Sequence, residues 1–238
     1  MSLTEQRVVV IGGSSGMGLA TARAAADGGA TVTVVSSRPE RVDIAVAELP
    51  EGCDGAVVDV RDDHAVAGLF ERIGELDHLV FTAGDSFTPR PLTEMSPDEA
   101  RTVLDVRFWG AVQVIRSAAS RIRPGGSITL TTGTVGQRPV PGAALAAAGA
   151  GAAEGLVRGL ATELAPSAST WCAPAPSARR CGVPEPQRDA VFARLAQRTL
   201  LGRMGEPEEI ALAHLYLMQN RYVTGTVLTV DGGLLLAG

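Results

Sequence analysis

The segment that decides the fold reads RVVVIGGSSGMG and covers residues 7–18. Its short run of β-branched residues is followed by glycines, which predicts a buried parallel strand over residues 7–11 and then a tight turn. An alanine-rich stretch then predicts a helix over residues 18–29, closed by glycine. The order strand, glycine-rich loop, helix places free N–H groups and the positive end of a helix dipole where a diphosphate can bind.

The glycines of this loop have separate physical roles. Gly12 permits the tight turn, Gly16 lets the backbone approach a pyrophosphate, and Gly18 allows close packing of helix on strand. The alternative is a glycine-rich turn in an α/β fold that binds no ligand. The loop residues predicted to contact a dinucleotide are Gly12, Ser14, Ser15, Gly16, Met17 and Gly18.

The rest of the chain alternates short apolar runs with helical patterns. Strands are predicted over residues 31–36, 55–60, 78–82, 126–132 and 227–230, and helices over residues 42–49, 63–73, 96–121, 143–164 and 207–218. This alternation indicates right-handed βαβ units and a parallel sheet. Because no linker or internal repeat interrupts it, the predicted fold is one α/β domain over residues 1–238, a doubly wound parallel sheet of the Rossmann type.

The composition excludes several classes of function. The chain has 21 cationic and 26 acidic residues, a formal net charge of −5, and its cations are all arginine. Without lysine, a Schiff-base enzyme, a P-loop lysine and a Tyr-Lys catalytic pair are ruled out. The mild acidity gives no electrostatic reason to expect nucleic acid or an anionic membrane as a partner. The three cysteines are too widely spaced for a zinc pair, so no metal site is predicted.

The sequence also gives an expectation for location. The first residues lack the charged and apolar regions of a signal peptide. The apolar runs stay shorter than the roughly 20 residues that a membrane span needs. We therefore expect a cytoplasmic protein.

The order G-x-x-x-G-x-G at the first βα turn resembles the short-chain dehydrogenase/reductase family. Residues 82–84 (TAG) are similar to the family's Asn-Ala-Gly, and residues 59–60 (DV) to its Asp-Val beside the adenine. Residues 202–211 (GRMGEPEEIA), 223–225 (VTG) and 230–233 (VDGG) match its C-terminal signatures. The resemblance spans nearly the whole chain and implies a nicotinamide dinucleotide as cofactor. The further cofactor contacts that it implies are Asp59, Val60, Ala83 and Gly84.

The end of the second strand indicates which dinucleotide is bound. A carboxylate here would bond the ribose 2′-hydroxyl of NAD and repel a 2′-phosphate, but the strand ends in Ser36, Ser37 and Arg38. A guanidinium holds a phosphate through two hydrogen bonds, and hydroxyls add more. The pattern predicts NADP(H), with Ser37 and Arg38 at the 2′-phosphate; the alternative is that Arg38 is a solvated surface residue.

The residues that carry out catalysis in the family have no counterpart here. The resemblance places Arg107, Gly133, Ala146 and Ala150 at the positions of its Asn, Ser, Tyr and Lys. A forming alkoxide needs a proton, and a guanidinium stabilises negative charge but stays protonated. The candidate catalytic residues are Arg107, Thr132 and Thr134, with Asp85 as the nearest carboxyl group.

Two functions follow. The first is an NADP-dependent oxidoreductase that acts on an unknown small-molecule carbonyl or alcohol by an altered proton path. The second is a catalytically inactive NADP(H)-binding relative that serves as a sensor or subunit scaffold; loss of cofactor binding would leave a structural protein. Each candidate residue also has a purely structural explanation: Arg107 would pair with an acid such as Asp105 or Asp85, and threonine is a common strand residue.

The surface near the last long helix suggests self-association. Gly151, Gly155 and Gly159 form a smooth stripe, and in the family this helix belongs to the usual dimer face. The resemblance therefore implies a homodimer or homotetramer, with glycine drift in the gene as the alternative. An apolar substrate pocket lined by aromatic side chains is also expected, with Phe87, Phe108 and Trp109 as the candidates. The alternative is that these three residues belong to the core.

Residues 167–181, SASTWCAPAPSARRC, break the pattern where another strand is due. The family resemblance implies a sixth strand and a Pro-Gly loop at the nicotinamide, and these residues show neither. Read two bases later, suitable codons for the segment encode RVNVVRPGAVRPAL, the family's Arg-Val-Asn followed by Pro-Gly. We therefore hypothesise a compensated frameshift, which resequencing of the gene tests. Otherwise residues 170–172 form a poor strand and the nicotinamide side is weakened.

Overall fold

The sheet is the centre of the fold. A computed structural model describes residues 2–84, 88–165, 168–174 and 193–237. Seven strands form one sheet in the order β3-β2-β1-β4-β5-β6-β7, and all paired neighbours are parallel. The strands are β1 (Arg7–Ile11), β2 (Thr31–Ser36), β3 (Asp54–Val57), β4 (Leu76–Phe81), β5 (Ile122–Thr131), β6 (Ala168–Pro174) and β7 (Val227–Val230). The predicted single-domain doubly wound α/β fold is confirmed.

Helices cover both faces of this sheet. They are α1 (Gly16–Asp27), α2 (Pro39–Ala47), α3 (Asp63–Ile73), α4 (Pro97–Thr102), α5 (Ala111–Ala118), α6 (Ala144–Glu163) and α7 (Pro207–Gln219). Local chemistry explains several starts. The Asp62 side chain accepts from the backbone N–H of Ala65 at the start of α3, and Ser96 and Glu99 form a reciprocal capping box at α4.

Alternating side chains of β1 serve two separate cores. Val9 and Ile11 point into an apolar cluster that includes Phe70 of α3 and Val114 of α5. Val8 and Val10 point into a second cluster with α1, α2 and α7. Since neighbouring residues of a strand face opposite sides of the sheet, a continuous apolar run is what a doubly covered central strand requires.

The predicted long helix over residues 96–121 is wrong as a continuous element. α4 is followed by a π-helix, Asp105–Gly110, before α5 begins. The carbonyl of Leu104 accepts from the N–H groups of both Phe108 and Trp109, each at 3.0 Å. The ladder therefore changes there from four-residue to five-residue spacing, and such π turns are frequent at functional sites.

The expectation that residues 167–181 lack a strand is also wrong, and the alternative strand over residues 170–172 is confirmed as part of the longer β6. β6 pairs with β5 on one side, Ala168 in register with Ser127, and with β7 on the other, Pro174 in register with Val230. A chain that runs between two strands satisfies its backbone polar groups by pairing with both, largely independently of its side chains. Residues 175–181, the rest of the segment in which the family's Pro-Gly loop is missing from the sequence, lie outside the described residues, and the frameshift stays a hypothesis.

Two buried histidines join elements across the molecule. His78 of β4, 1% exposed, contacts Ser127 Oγ through Nδ1 (2.8 Å) and Gln6 Oε1 through Nε2 (3.0 Å). His214 of α7 is fully buried. Burial lowers the pKa of each imidazole to about 4, because removal from water disfavours the charged ring.

The buried rings make stability depend on pH. The folded protein keeps His78 neutral down to about pH 4, whereas in the unfolded chain it takes up its proton near pH 6.5. Between these values only the unfolded chain binds the proton, so we expect the free energy of unfolding to fall as the pH is lowered, by about 1.4 kcal/mol per unit for this residue. Urea denaturation from pH 7 to pH 4 measures the slope. A His78→Gln variant with the wild-type slope would contradict the assignment.

Candidate functional site

The glycine-rich loop packs directly on the end of β4. Gly12 and Gly16 have φ angles of +83° and +53°, which favour glycine. A Cβ on Gly12 would lie 2.6 Å from the backbone nitrogen of Ala83, and one on Gly18 would lie 2.5 Å from Thr82 Oγ1 and closer still to the Gly12 carbonyl. The roles predicted for Gly12 and Gly18 therefore match the local geometry, because neither position has room for a side chain.

Gly16 differs from these two glycines because it faces open space. A Cβ there would meet no atom within 4 Å. α1 begins at Gly16, its first turn has no acidic residue, and Ser15 makes no side-chain capping hydrogen bond to it. N–H groups at such a helix start attract anions. The residues fit the diphosphate of a dinucleotide, since the backbone at Gly16 can be approached without a clash.

Three residues predicted to bind the adenosine half lie near the ends of β2 and β3. Ser37 and Arg38 directly follow β2 and are exposed. Asp59 lies two residues beyond β3, because the strand ends at Val57 and not at residue 60 as predicted. The backbone N–H of Val58 donates to the Ser36 carbonyl at 2.9 Å, so these strand ends stay adjacent.

The structure pairs Asp59 with Arg61, a contact that the sequence analysis did not predict. The Arg61 Nη2 atom lies 2.6 Å from Asp59 Oδ2, and the Arg61 backbone N–H donates to Oδ1 at 3.0 Å. Hydrogen bonding from Arg61 lowers the pKa of the Asp59 carboxyl group. An arginine two residues after an acid was the available signal. Val60 is buried and lies against Gly110, whose Cβ would be 2.6 Å from Val60 Cγ2.

The structure brings Arg107 against Gly84, one of the predicted cofactor contacts. A Cβ on Gly84 would lie 2.6 Å from Cζ and 2.9 Å from Nε of Arg107, so the guanidinium lies against the Gly84 backbone. The π-helix carries Arg107 to this place. Asp85, one suggested partner of Arg107, lies outside the described residues, as does Phe87. Trp109 is 56% exposed, so it does not belong to the core of this chain.

The end of β5 holds the other candidate residues. Thr132 follows the strand, and its Oγ1 is buried without a hydrogen-bond partner among the described residues. Thr134, 5% exposed, opens the 3-10 turn Thr134–Gly136. A Cβ on Gly133 would have its nearest neighbour 3.9 Å away, at Val135. Position 133 therefore has room for a side chain.

The two alanines that the sequence analysis assigned to the family's Tyr and Lys positions lie in different surroundings. Ala146 is half-buried, whereas Ala150 is 4% exposed. A Cβ on Gly136 would lie 2.8 Å from Ala150 Cβ. α6 therefore packs closely on the turn that follows β5, and the space at position 150 is filled.

The described residues contain neither a candidate metal site nor a membrane-spanning helix. Among them, clusters of three or more His, Cys, Asp or Glu side chains suited to a metal ion do not occur. Their helices are too short or too polar to span a bilayer.

Comparison with known proteins establishes the family. Residues 12–235 match the family model described as enoyl-(acyl carrier protein) reductase. The short-chain dehydrogenase/reductase ucsE of Acremonium sp is 34% identical over 256 residues, which cover 99% of this chain and 97% of the relative. The 3alpha-hydroxysteroid dehydrogenase of Mediterraneibacter gnavus is 31% identical, with 98% of both chains covered.

Solved structures agree. A small-chain dehydrogenase in complex with NADPH has a TM-score of 0.84 at 32% identity, with 98% of this chain and 100% of that chain covered. The MalC reductase/Diels-Alderase of Malbranchea aurantiaca has a TM-score of 0.88 at 28% identity, with 98% of each covered. The chain belongs to the short-chain dehydrogenase/reductase family, whose members are oxidoreductases that bind nicotinamide dinucleotides.

Gly16 and Gly18 belong to the same loop, but we expect their substitution by alanine to affect stability differently. Gly18→Ala would force the Gly12 backbone and Thr82 apart, and we expect it to destabilise the fold by about 2–4 kcal/mol. Gly16→Ala meets no neighbour, so only the left-handed φ angle opposes it, at about 1 kcal/mol. Urea denaturation of both variants measures the difference. Equal losses would contradict the packing of the loop on β4.

Proposed function

We propose that this chain is an NADP(H)-dependent oxidoreductase that acts on a small-molecule carbonyl or alcohol by an altered proton path. One observation carries the proposal: the Arg107 guanidinium lies against Gly84. Gly84 is in the segment on which the glycine-rich loop packs, so a fixed positive charge lies at the same edge of the sheet as the open diphosphate cradle at Gly16. Ligands of open α/β sheets bind at the carboxyl ends of the strands.

The cofactor assignment follows the ends of the strands. The first turn of α1, with Ser14, Ser15 and Met17, would hold the diphosphate, and Ala83 and Gly84 the nicotinamide side. Asp59 and Val60 would lie at the adenine. Ser37 and Arg38 would hold the 2′-phosphate, because β2 ends without a carboxylate to repel it. A bound nicotinamide supplies or accepts a hydride.

The chain's own residues then have distinct tasks. Arg107 stabilises the negative charge that develops on the substrate oxygen, and because it stays protonated it does not deliver the proton. The buried hydroxyl of Thr132 donates a hydrogen bond to the same oxygen, which also satisfies a polar atom that otherwise has no partner among the described residues. Thr134 orients the substrate. The space left at Gly133 and Ala146 widens the substrate pocket.

A second function is favoured by a separate observation. Ala150 is buried against the turn at Gly136, so the place of the family's Lys is closed by packing. A chain that binds NADP(H) without turnover, as a sensor or subunit scaffold, would have this feature. Thermal-shift titration with NADPH and NADH, followed by a carbonyl panel, separates the two functions. Stabilisation by NADPH without oxidation of NADPH on any member of the panel would favour the second.

Self-association is part of the proposal. A Cβ at Gly151, Gly155 or Gly159 of α6 would meet no atom within 4 Å. The helix therefore presents a smooth surface on which the backbone of a second copy can pack closely. A homodimer or homotetramer is supported by this surface and by the family.

Exchange of the charge at position 38 tests the cofactor assignment. In Arg38→Asp, the carboxylate repels a 2′-phosphate and accepts from a 2′-hydroxyl, so we expect the preference for NADPH over NADH to fall about 100-fold. Fluorescence titration of both dinucleotides gives the ratio of their Kd values. Arg41→Asp is the matched control, because it makes the same change of charge in the first turn of α2, which begins directly after Arg38. An unchanged ratio in Arg38→Asp would refute the assignment.

Removal of the charge at position 107 tests the catalytic role. We expect Arg107→Gln to lower kcat/KM about 100-fold or more, since one donor to a developing oxyanion is lost, while NADPH still stabilises the protein against heat. Arg116→Gln, an exposed arginine of α5, is the control. The measurement is NADPH oxidation with the best carbonyl of the panel. Activity of Arg107→Gln equal to that of the control would overturn the role.

A further inference from the structure

His214 connects three elements of the fold through its imidazole. The side chain is fully buried. Its Nδ1 atom lies 2.7 Å from Thr21 Oγ1 on α1, and its Nε2 atom lies 3.0 Å from Thr131 Oγ1, at the end of β5. Because α7 carries the ring itself, one residue joins α1, α7 and β5.

The direction of each hydrogen bond follows from the partners. Thr21 Oγ1 lies 2.7 Å from the Met17 carbonyl oxygen. A carbonyl oxygen only accepts, so the Thr21 hydroxyl donates this hydrogen bond. That proton is therefore in use, and Thr21 Oγ1 accepts from the Nδ1–H of His214. Nε2 then carries no proton and accepts from the Thr131 hydroxyl. Burial lowers the pKa of His214 to about 4, so the ring is neutral in this arrangement at neutral pH.

Both ends of this chain of hydrogen bonds reach the candidate site. Met17 is the second residue of α1 and belongs to the glycine-rich loop, and Thr131 directly precedes Thr132. We propose that His214 is a positioning residue, which fixes the first turn of α1 relative to the carboxyl end of β5 and thereby sets the affinity for NADP(H). This inference rests on the proposed function.

The polar character of His214 supports a positioning role. A buried polar ring costs free energy unless its nitrogens are hydrogen-bonded, and a leucine of similar size would fill the space without that requirement. Apolar contacts are not directional, whereas two hydrogen bonds fix both the separation and the orientation of the groups they join. The sequence offered no signal for His214, because the histidine lies among apolar residues of α7 and its partners are distant along the chain.

A second buried histidine, His78, serves as an internal control for His214. His78 is buried to the same extent and is bonded at both nitrogens, by Ser127 and Gln6. Ser127 belongs to β5 like Thr131, but lies four residues earlier in the strand. In a parallel sheet that distance separates Ser127 from the carboxyl edge, where the ligand binds. His78 therefore resembles His214 in burial and hydrogen bonding, but it lies away from the edge of the sheet where the ligand binds.

The experiment compares mild substitutions in the two networks. Thr21→Val and Thr131→Val each remove one hydrogen bond of His214 and keep the shape of the side chain, whereas Ser127→Ala removes one of His78. We expect the first two variants to raise the Kd of NADPH about tenfold, the factor that corresponds to one lost hydrogen bond. Ser127→Ala should lose similar stability to urea and keep its Kd within about twofold of wild type. Thr131→Ser, which keeps the hydroxyl, should retain the wild-type Kd.

The outcomes separate this inference from the proposed function. Failure of the wild-type protein to bind NADPH would overturn both. Wild-type binding, with Kd values for Thr21→Val and Thr131→Val equal to that of Ser127→Ala, would overturn the inference alone. Nitrogen-15 NMR of the imidazoles at pH 7 gives a readout that does not depend on the cofactor. We expect the proton of His214 on Nδ1, and a proton on Nε2 instead would also overturn the inference.

Discussion

The close contact between the glycine-rich loop and the end of β4 is the constraint on which the site depends. Gly12 and Gly18 leave no room for a Cβ between the loop and residues 82–84, so α1 starts immediately beside the carboxyl ends of β1 and β4. The same contact leaves Gly16 open and brings the first turn of α1 to the edge where Arg107 lies against Gly84. A helix start and a guanidinium at one edge suit an anionic ligand, since both favour negative charge.

Sequence reasoning succeeded where local chemistry determines structure. β1, β2 and α3 begin and end at their predicted residues, because apolar runs, glycines and caps act over a few positions. It failed where a neighbouring element decides the outcome. β6 forms because two strands flank it, and the π-helix depends on a single carbonyl, that of Leu104, which accepts two N–H groups.

The same distinction applies to the site. The loop glycines were identifiable because their roles follow from their order in the sequence, whereas His214 acts through partners that only the fold brings near. The contact of Arg107 with Gly84 likewise joins two residues that are distant along the chain. In the proposed function, Arg107 on the π-helix stabilises negative charge on the substrate oxygen and does not itself deliver a proton. A search for substrates should therefore include carbonyl compounds whose reduced product is stabilised as an anion.

The most direct test of the account is an NMR titration of the nitrogen-15-labelled protein with NADPH. The account predicts that the backbone amide signals of Gly16, Met17 and Gly18 move most, together with that of Gly84, because the diphosphate and the nicotinamide side would lie against them. Signals that stay in place at saturating NADPH, or that move only elsewhere in the chain, would contradict it.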